Sequence, residues 1–216
     1  MLLTHLQEQL SRLYETPNEY NIYDFLITDQ KLADAISPPG HAANDERLLV
    51  SQSHGHLDIS VYLNRSTLAH LADDDPLEIL HDGNLDAFML AIEGVSHFQY
   101  LCWNASFDKS VTLLELELQA EVDKYVTAMR LLSTQGNAAD ANTVHTHLFE
   151  KVSYRGDLAP QERARYCDAN HYAAKYCRVL SERFHRDVNH VNTLNELRRF
   201  YRLTQNEKIR RIEHSH

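Results

Sequence analysis

The sequence predicts an α+β fold: a predominantly helical bundle with a small antiparallel β-hairpin or three-stranded sheet in the N-terminal third. Three observations carry this expectation. Gly 6 and Pro 5 in 216 residues leave little of the turn chemistry that a sheet-only fold requires. From about residue 66 onward, apolar side chains recur at helical spacing in one segment after another. Before that, residues 47–63 alternate with a period of two around a glycine-containing turn. At 43% hydrophobic and 24% charged residues the chain sits near the globular average, which excludes wholesale disorder and collagen-like repetition. The length suits one domain over 1–216, with the β element at about 20–63, the bundle at about 66–203 and a tail at 204–216 that either continues the last helix or frays.

Along the chain, Leu3, Leu6, Leu10 and Leu13 mark a first helix over 2–14, which Pro17 ends. The aromatic and β-branched run from Tyr20 to Ile27 suits a short strand, with a helical turn through Leu32 and Ile36, and Pro38-Pro39-Gly40 breaks the chain. Arg47–Gln52 and Leu57–Leu63 form the hairpin about Ser53-His54-Gly55-His56. Ser66 caps a short helix, Asp75-Pro76 signals a helix start, and Asn84 opens the next helix. Through 85–106 apolar residues occupy nearly every direction, from Leu85 and Phe88 to Ile92, Phe98 and Trp103, so this is the central, buried helix. Thr112 and Glu115 read as a capping box for a second long helix to about Leu132. Residues 133–142 form a loop and 143–152 a short segment. Pro160 starts a helix through Phe184, and another covers 188–203.

Charge is unevenly distributed. The net charge of −10 combines residues 1–158, with 9 Lys and Arg against 24 Asp and Glu, and residues 159–216, with 12 against 7. A basic C-terminal segment on an acidic body docks on that body first, and next on an acidic partner or on nucleic-acid phosphate. Its candidate interaction residues are Arg198, Arg199, Arg202, Lys208, Arg210 and Arg211. The opening MLLTHLQEQL has neither a basic n-region nor a long apolar run, which predicts no membrane anchor and a cytoplasmic protein. Cys102, Cys167 and Cys177 lack CxxC spacing and read as buried reduced thiols.

No Gly-x-Ser-x-Gly, Gly-x-Gly-x-x-Gly or Gly-x-x-x-x-Gly-Lys-Ser/Thr run occurs, so nucleophile-elbow, dinucleotide and P-loop chemistry are set aside. One constellation remains. At about 100° per residue, Asp86, Glu93, His97 and Asn104 fall within roughly 40° of one another on the central helix. Glu93 and His97, four residues apart, have spacing that permits acid–base work or metal ligation, and antiparallel packing of the next helix brings Glu121 toward them. The candidate catalytic pair is therefore Glu93 and His97, and the candidate divalent-metal ligands are Asp86, Glu93, His97 and Glu121. Bland readings compete: a solvated polar stripe, Glu115 as a cap, and Glu121 paired with Lys124. The pairs His54/His56 and His145/His147, and Cys167 with His171, are half-sites better read as surface groups. Tyr166, Tyr172 and Tyr176 at helical spacing read as core.

The functional expectation is a protein-interaction or regulatory protein with a protein partner or a second copy of itself, since no catalytic signature is present. A metal-dependent helical-bundle enzyme using Glu93 and His97 is the alternative, and a nucleic-acid-associated protein using the basic C-terminal helix is the third.

Overall fold

The computed structural model describes residues 1–37, 44–53, 55–136, 141–156, 158–183 and 189–214. Outside them lie the Pro38-Pro39-Gly40 break, His54 of the hairpin turn, residues 137–140 of the 133–142 loop, Phe184 and His216.

The fold is α+β and mostly helical, with a three-stranded mixed sheet in the N-terminal third. Helix α1 (Leu2–Tyr14) presents Leu3, Leu6, Leu10 and Leu13 to the core and ends at Glu15 in the left-handed conformation. Strand β1 (Leu26–Ile27) precedes the short helix α2 (Gln30–Ile36), whose first turn Asp29 caps. Strands β2 (Glu46–Ser53) and β3 (His56–Leu63) form the expected hairpin, with Gly55 at a φ of 81°, a conformation glycine adopts without a Cβ penalty. The sheet order is β1-β3-β2. β1 pairs with β3 in parallel, Leu26 opposite Val61, so the sheet is not wholly antiparallel. A return through α2 and β2 lies between them, which allows the parallel arrangement.

Helix α3 (Arg65–Asp73) is capped by Asn64, not Ser66, because the Asn64 side-chain Oδ1 accepts the Ser66 backbone N–H at 3.0 Å. Asp75-Pro76 opens a turn and no helix, with the Glu78 amide bonded back to the Asp75 carbonyl at 3.0 Å. Helix α4 (Asp82–Ala105) begins earlier than Asn84. His81 is its cap, and Asn84 closes the capping box from the third position. Helix α5 (Leu113–Thr134) starts at Thr112 as expected, yet Glu115 does not complete the box. Its carboxylate instead accepts the Tyr100 hydroxyl at 2.5 Å, a buried partner that outcompetes the local one.

After α6 (Ala141–His145) and a π turn at Thr146–Glu150, α7 (Pro160–Arg183) and α8 (Val191–Tyr201) follow. Residues 204–214 neither continue α8 nor fray: Thr204 and Glu207 form a capping box that opens α9 (Gln205–Glu213), which buries Lys208 and Ile212.

Helix α4 is the innermost rod. Phe88, Ile92, Val95 and Phe98 have no exposed surface, and one continuous apolar cluster runs from Leu3 in α1 through α4, α5, α7 and α8 to Ile212 in α9. At Gly94 the sheet comes close. A Cβ there would stand 3.2 Å from Val61 and 3.5 Å from Glu46 Cγ, so glycine lets α4 lie against β2 and β3. Among the described residues no helix is long and apolar enough to cross a membrane.

Candidate functional site

The charged groups that matter meet where α4, α5, α7 and the edge strand β2 converge. Glu46 opens β2, in phase with Leu48 and Val50, on the strand face turned toward α4. His97 is 5% exposed and Glu46 is 6% exposed. The His97 Nδ1 lies 3.2 Å from Glu46 Oε1, while its Nε2 faces Glu117 Oε2 of α5 at 3.7 Å. That second separation is too long for a hydrogen bond, and Nε2 has no hydrogen-bond partner among the described residues. Glu93, one turn before His97, is held by Lys124 at 2.5 Å, and Lys124 is held in turn by Glu121 at 2.9 Å. Single ligand atoms of Glu46, Glu93 and His97 lie within 4.8 Å of one another.

A cavity of about 250 Å³ adjoins this cluster, and Glu46, His97, Glu117, Arg165 and Tyr166 contribute to its wall. Its apolar side is formed by Leu48, Val50, Leu113 and Leu116. Arg165 of α7 stands 3.6 Å from Glu117 and 3.8 Å from Glu162, near enough for ionic attraction and too far for hydrogen bonds.

Burial and charge set the protonation states. Burial alone lowers the pKa of His97, but Glu46, with Glu117 and Glu93 behind it, outweighs burial and raises the imidazole to about 9. Burial raises Glu46, an effect that His97 partly offsets. Burial also raises Glu117, to about 7, because His97 and Arg165 do not fully compensate for lost water and for the neighbouring Glu93 and Glu46. Glu93 moves the other way: burial pushes it up, yet the attraction of Lys124 and His97 wins. The arrangement holds one proton on His97 and a second shared-out affinity at Glu117, beside a cavity large enough for a small molecule.

The structure separates the four expected metal ligands. Glu93 and His97 share the cluster. Asp86, on the same stripe, is exposed and pairs with His147 at 3.1 Å. Glu121 reaches the cluster only through Lys124. Asn104, the fourth stripe residue, is buried and donates to the Tyr100 carbonyl at 2.9 Å. Glu46 and Glu117 were not among the expected ligands. Glu46 had a weak signal, an acid in phase with the apolar face of a strand; Glu117 sits beside the acids Glu115 and Glu121 with nothing local to single it out.

Other expectations resolve differently. His145 is a core residue against Phe149 and Tyr125, not a surface histidine, while His147 points to Asp86, so this pair does not converge. Cys102 and Cys177 are buried, but Cys167 is exposed. Tyr176 stacks on Phe200 at 3.9 Å in the core, whereas Tyr166 lines the cavity. The basic C-terminal residues mostly serve the fold. Lys208 is wholly buried, with its ammonium 2.5 Å from Gln119 Oε1 and over the rings of Tyr100, Phe200 and Tyr201. Arg198 donates to the Leu13 carbonyl, Arg202 to that of Tyr14, and Arg211 pairs with Glu196. Arg199 and Arg210 are exposed. Across protein families, curated proteins and solved structures, nothing matches this chain.

Proposed function

We propose that this protein is a metal-dependent enzyme of small-molecule substrates, with a divalent first-row ion held by Glu46, Glu93 and His97 at the wall of the cavity. The observation that carries the reading is His97: a buried imidazole with a carboxylate facing each ring nitrogen and no hydrogen bond at Nε2. Oxygen and imidazole donors suit manganese, iron or zinc. Ligands about 2.1 Å from an ion stand roughly 3–3.5 Å apart, and the 3.2 Å between His97 and Glu46 matches that edge. With Nδ1 and Glu46 on the ion, Nε2 would keep its N–H turned toward Glu117, 3.7 Å away, the side on which a metal-bound histidine usually meets an outer carboxylate. Lys124 occupies one oxygen of Glu93 and so orients the other. To hold an ion, His97 would have to give up the proton that its neighbours keep on it, and Glu46 and His97, which also line the cavity, would set the ion at the cavity wall. An ion there would supply Lewis acidity or an activated water, and Glu117, with a pKa of about 7, is placed to exchange a proton near neutrality.

Titration of untagged, chelator-treated protein with Mn²⁺ and Zn²⁺ tests this. One equivalent is expected to bind, and His97→Ala or Glu93→Gln to weaken it by about 10–100-fold while circular dichroism is unchanged. Equal affinity in wild type and both variants overturns the assignment.

A further inference from the structure

The cavity carries a second, independent signature. Among the described residues, six buried side-chain nitrogen or oxygen atoms have no hydrogen-bond partner. Four of them, Nε and Nη2 of Arg47, Nε of Arg165 and Nε2 of His97, belong to three residues that all line this cavity. The other two are the hydroxyls of Tyr176 and Tyr201, which do not line it. Arg47 is 8% exposed. Its Nη1 is satisfied by Asp34 at 2.8 Å and Ser37 at 3.0 Å, and its guanidinium lies 4.6 Å over the Tyr62 ring, so the side chain is fixed with two donors left over. A buried N–H without an acceptor is destabilising, and several around one cavity remain so unless something in the cavity accepts from them. The unmet groups of both arginines are donors. What they lack is an acceptor oxygen within hydrogen-bond distance. On the other side Leu48, Val50, Leu113 and Leu116 offer hydrocarbon.

We infer that the cavity binds a small amphipathic oxyanion, a carboxylic acid with a short apolar body, whose carboxylate accepts from Arg47 and Arg165 and whose hydrocarbon lies on Leu48, Leu113 and Leu116. A planar guanidinium presents paired N–H groups that match two carboxylate oxygens. The negative charge of Glu46, Glu117 and Glu162 in the same wall opposes an anion; His97 against Glu46, and Arg165 against Glu117 and Glu162, offset part of that. The inference goes beyond the metal reading and shares only its cavity. Its donors Arg47 and Arg165 are not the ion's ligands, so the two are separable.

Calorimetric titration of the full chain with hexanoate, 1-hexanol and inorganic phosphate, each with chelator and again with Mn²⁺, is the test. Hexanoate is expected to bind, with hexanol and phosphate each at least about tenfold weaker, because one lacks the charge and the other the hydrocarbon. Arg165→Gln is expected to weaken hexanoate by about tenfold or more, and Arg47→Gln likewise, with hexanol unaffected. Arg165→Lys, which keeps the charge but not the Nε donor, serves if the glutamine variant does not fold, and is expected to lose several-fold. Hexanol binding as well as hexanoate overturns the anion assignment, and phosphate binding as well as hexanoate overturns the apolar half. No hexanoate binding with or without Mn²⁺ overturns the whole. Hexanoate bound by protein that takes no Mn²⁺ keeps this inference and removes the metal reading; Mn²⁺ bound without hexanoate does the reverse.

Discussion

Between Glu46 and Glu117, His97 has exchanged water for carboxylates, and that exchange should be visible in its titration. Its pKa of about 9 in the folded chain stands above the ordinary 6.5. The ion pairs therefore contribute stability that is complete below about 6.5 and is lost as the pH rises through about 9. Two outcomes are expected. In metal-free protein the His97 ring resonances titrate near 9 by NMR, and a pKa at or below 6.5 would contradict the geometry. In His97→Gln, the part of the unfolding free energy that declines between pH 6.5 and 9 disappears from the wild-type-minus-variant difference. Glu93 and His97 were legible in the sequence because four residues on one helix is a local relation. Glu46 and Glu117 were not, because 51 residues separate Glu46 from His97 and only the packing of β2 and α5 on α4 closes that distance.

The helices were legible as elements, and their ends less so. Each apolar stripe repeats over many residues and is hard to misread, whereas a cap is a competition among a few neighbouring side chains. Asn64 displaced Ser66 and His81 preceded Asn84 for that reason. Glu115 shows a different override, since its carboxylate is drawn inward to Tyr100 at 2.5 Å. The close approach of α4 to the sheet depends on Gly94, which a sequence pattern marks only as a weak helix residue. Gly94→Leu is expected to lower stability in urea by roughly 1–3 kcal/mol, since its side chain meets Val61 and Leu63. It should also weaken Mn²⁺ binding by pushing Glu46 away from His97. A variant that matches wild type in both measurements would show that the contact between α4 and the sheet is looser than 3.2 Å implies.

At the scale of the whole molecule, the charge asymmetry is spent largely inside. The acidic body receives Lys208 in a cage of aromatic rings, with Gln119 beside it, and burial lowers this amine to about 7 against the pull of Glu115 and Asp123. Asp123, which burial raises to about 6, accepts from Tyr14 and Ser96 and ties α1 and α4 to α5. The last helix thus closes the core, and Ile212→Ala is expected to cost roughly 2–4 kcal/mol in urea unfolding. In limited trypsin digestion the same variant should be cut first after Arg210 or Arg211, sites that intact α9 protects. A variant as stable and as resistant as wild type would mean that α9 is an appendage. The sequence by itself determined that the chain is α+β, that residues 85–106 form its innermost rod, and that Glu93 and His97 share a face, because periodicity and side-chain volume act between near neighbours. Only the tertiary structure decided that Asp86 is wet, that β1 runs parallel to β3, and that Glu46, Glu117, Arg47 and Arg165 meet around one cavity. Those outcomes depend on which distant surfaces pack together and so exclude water, and no short stretch of chain encodes that by its spacing.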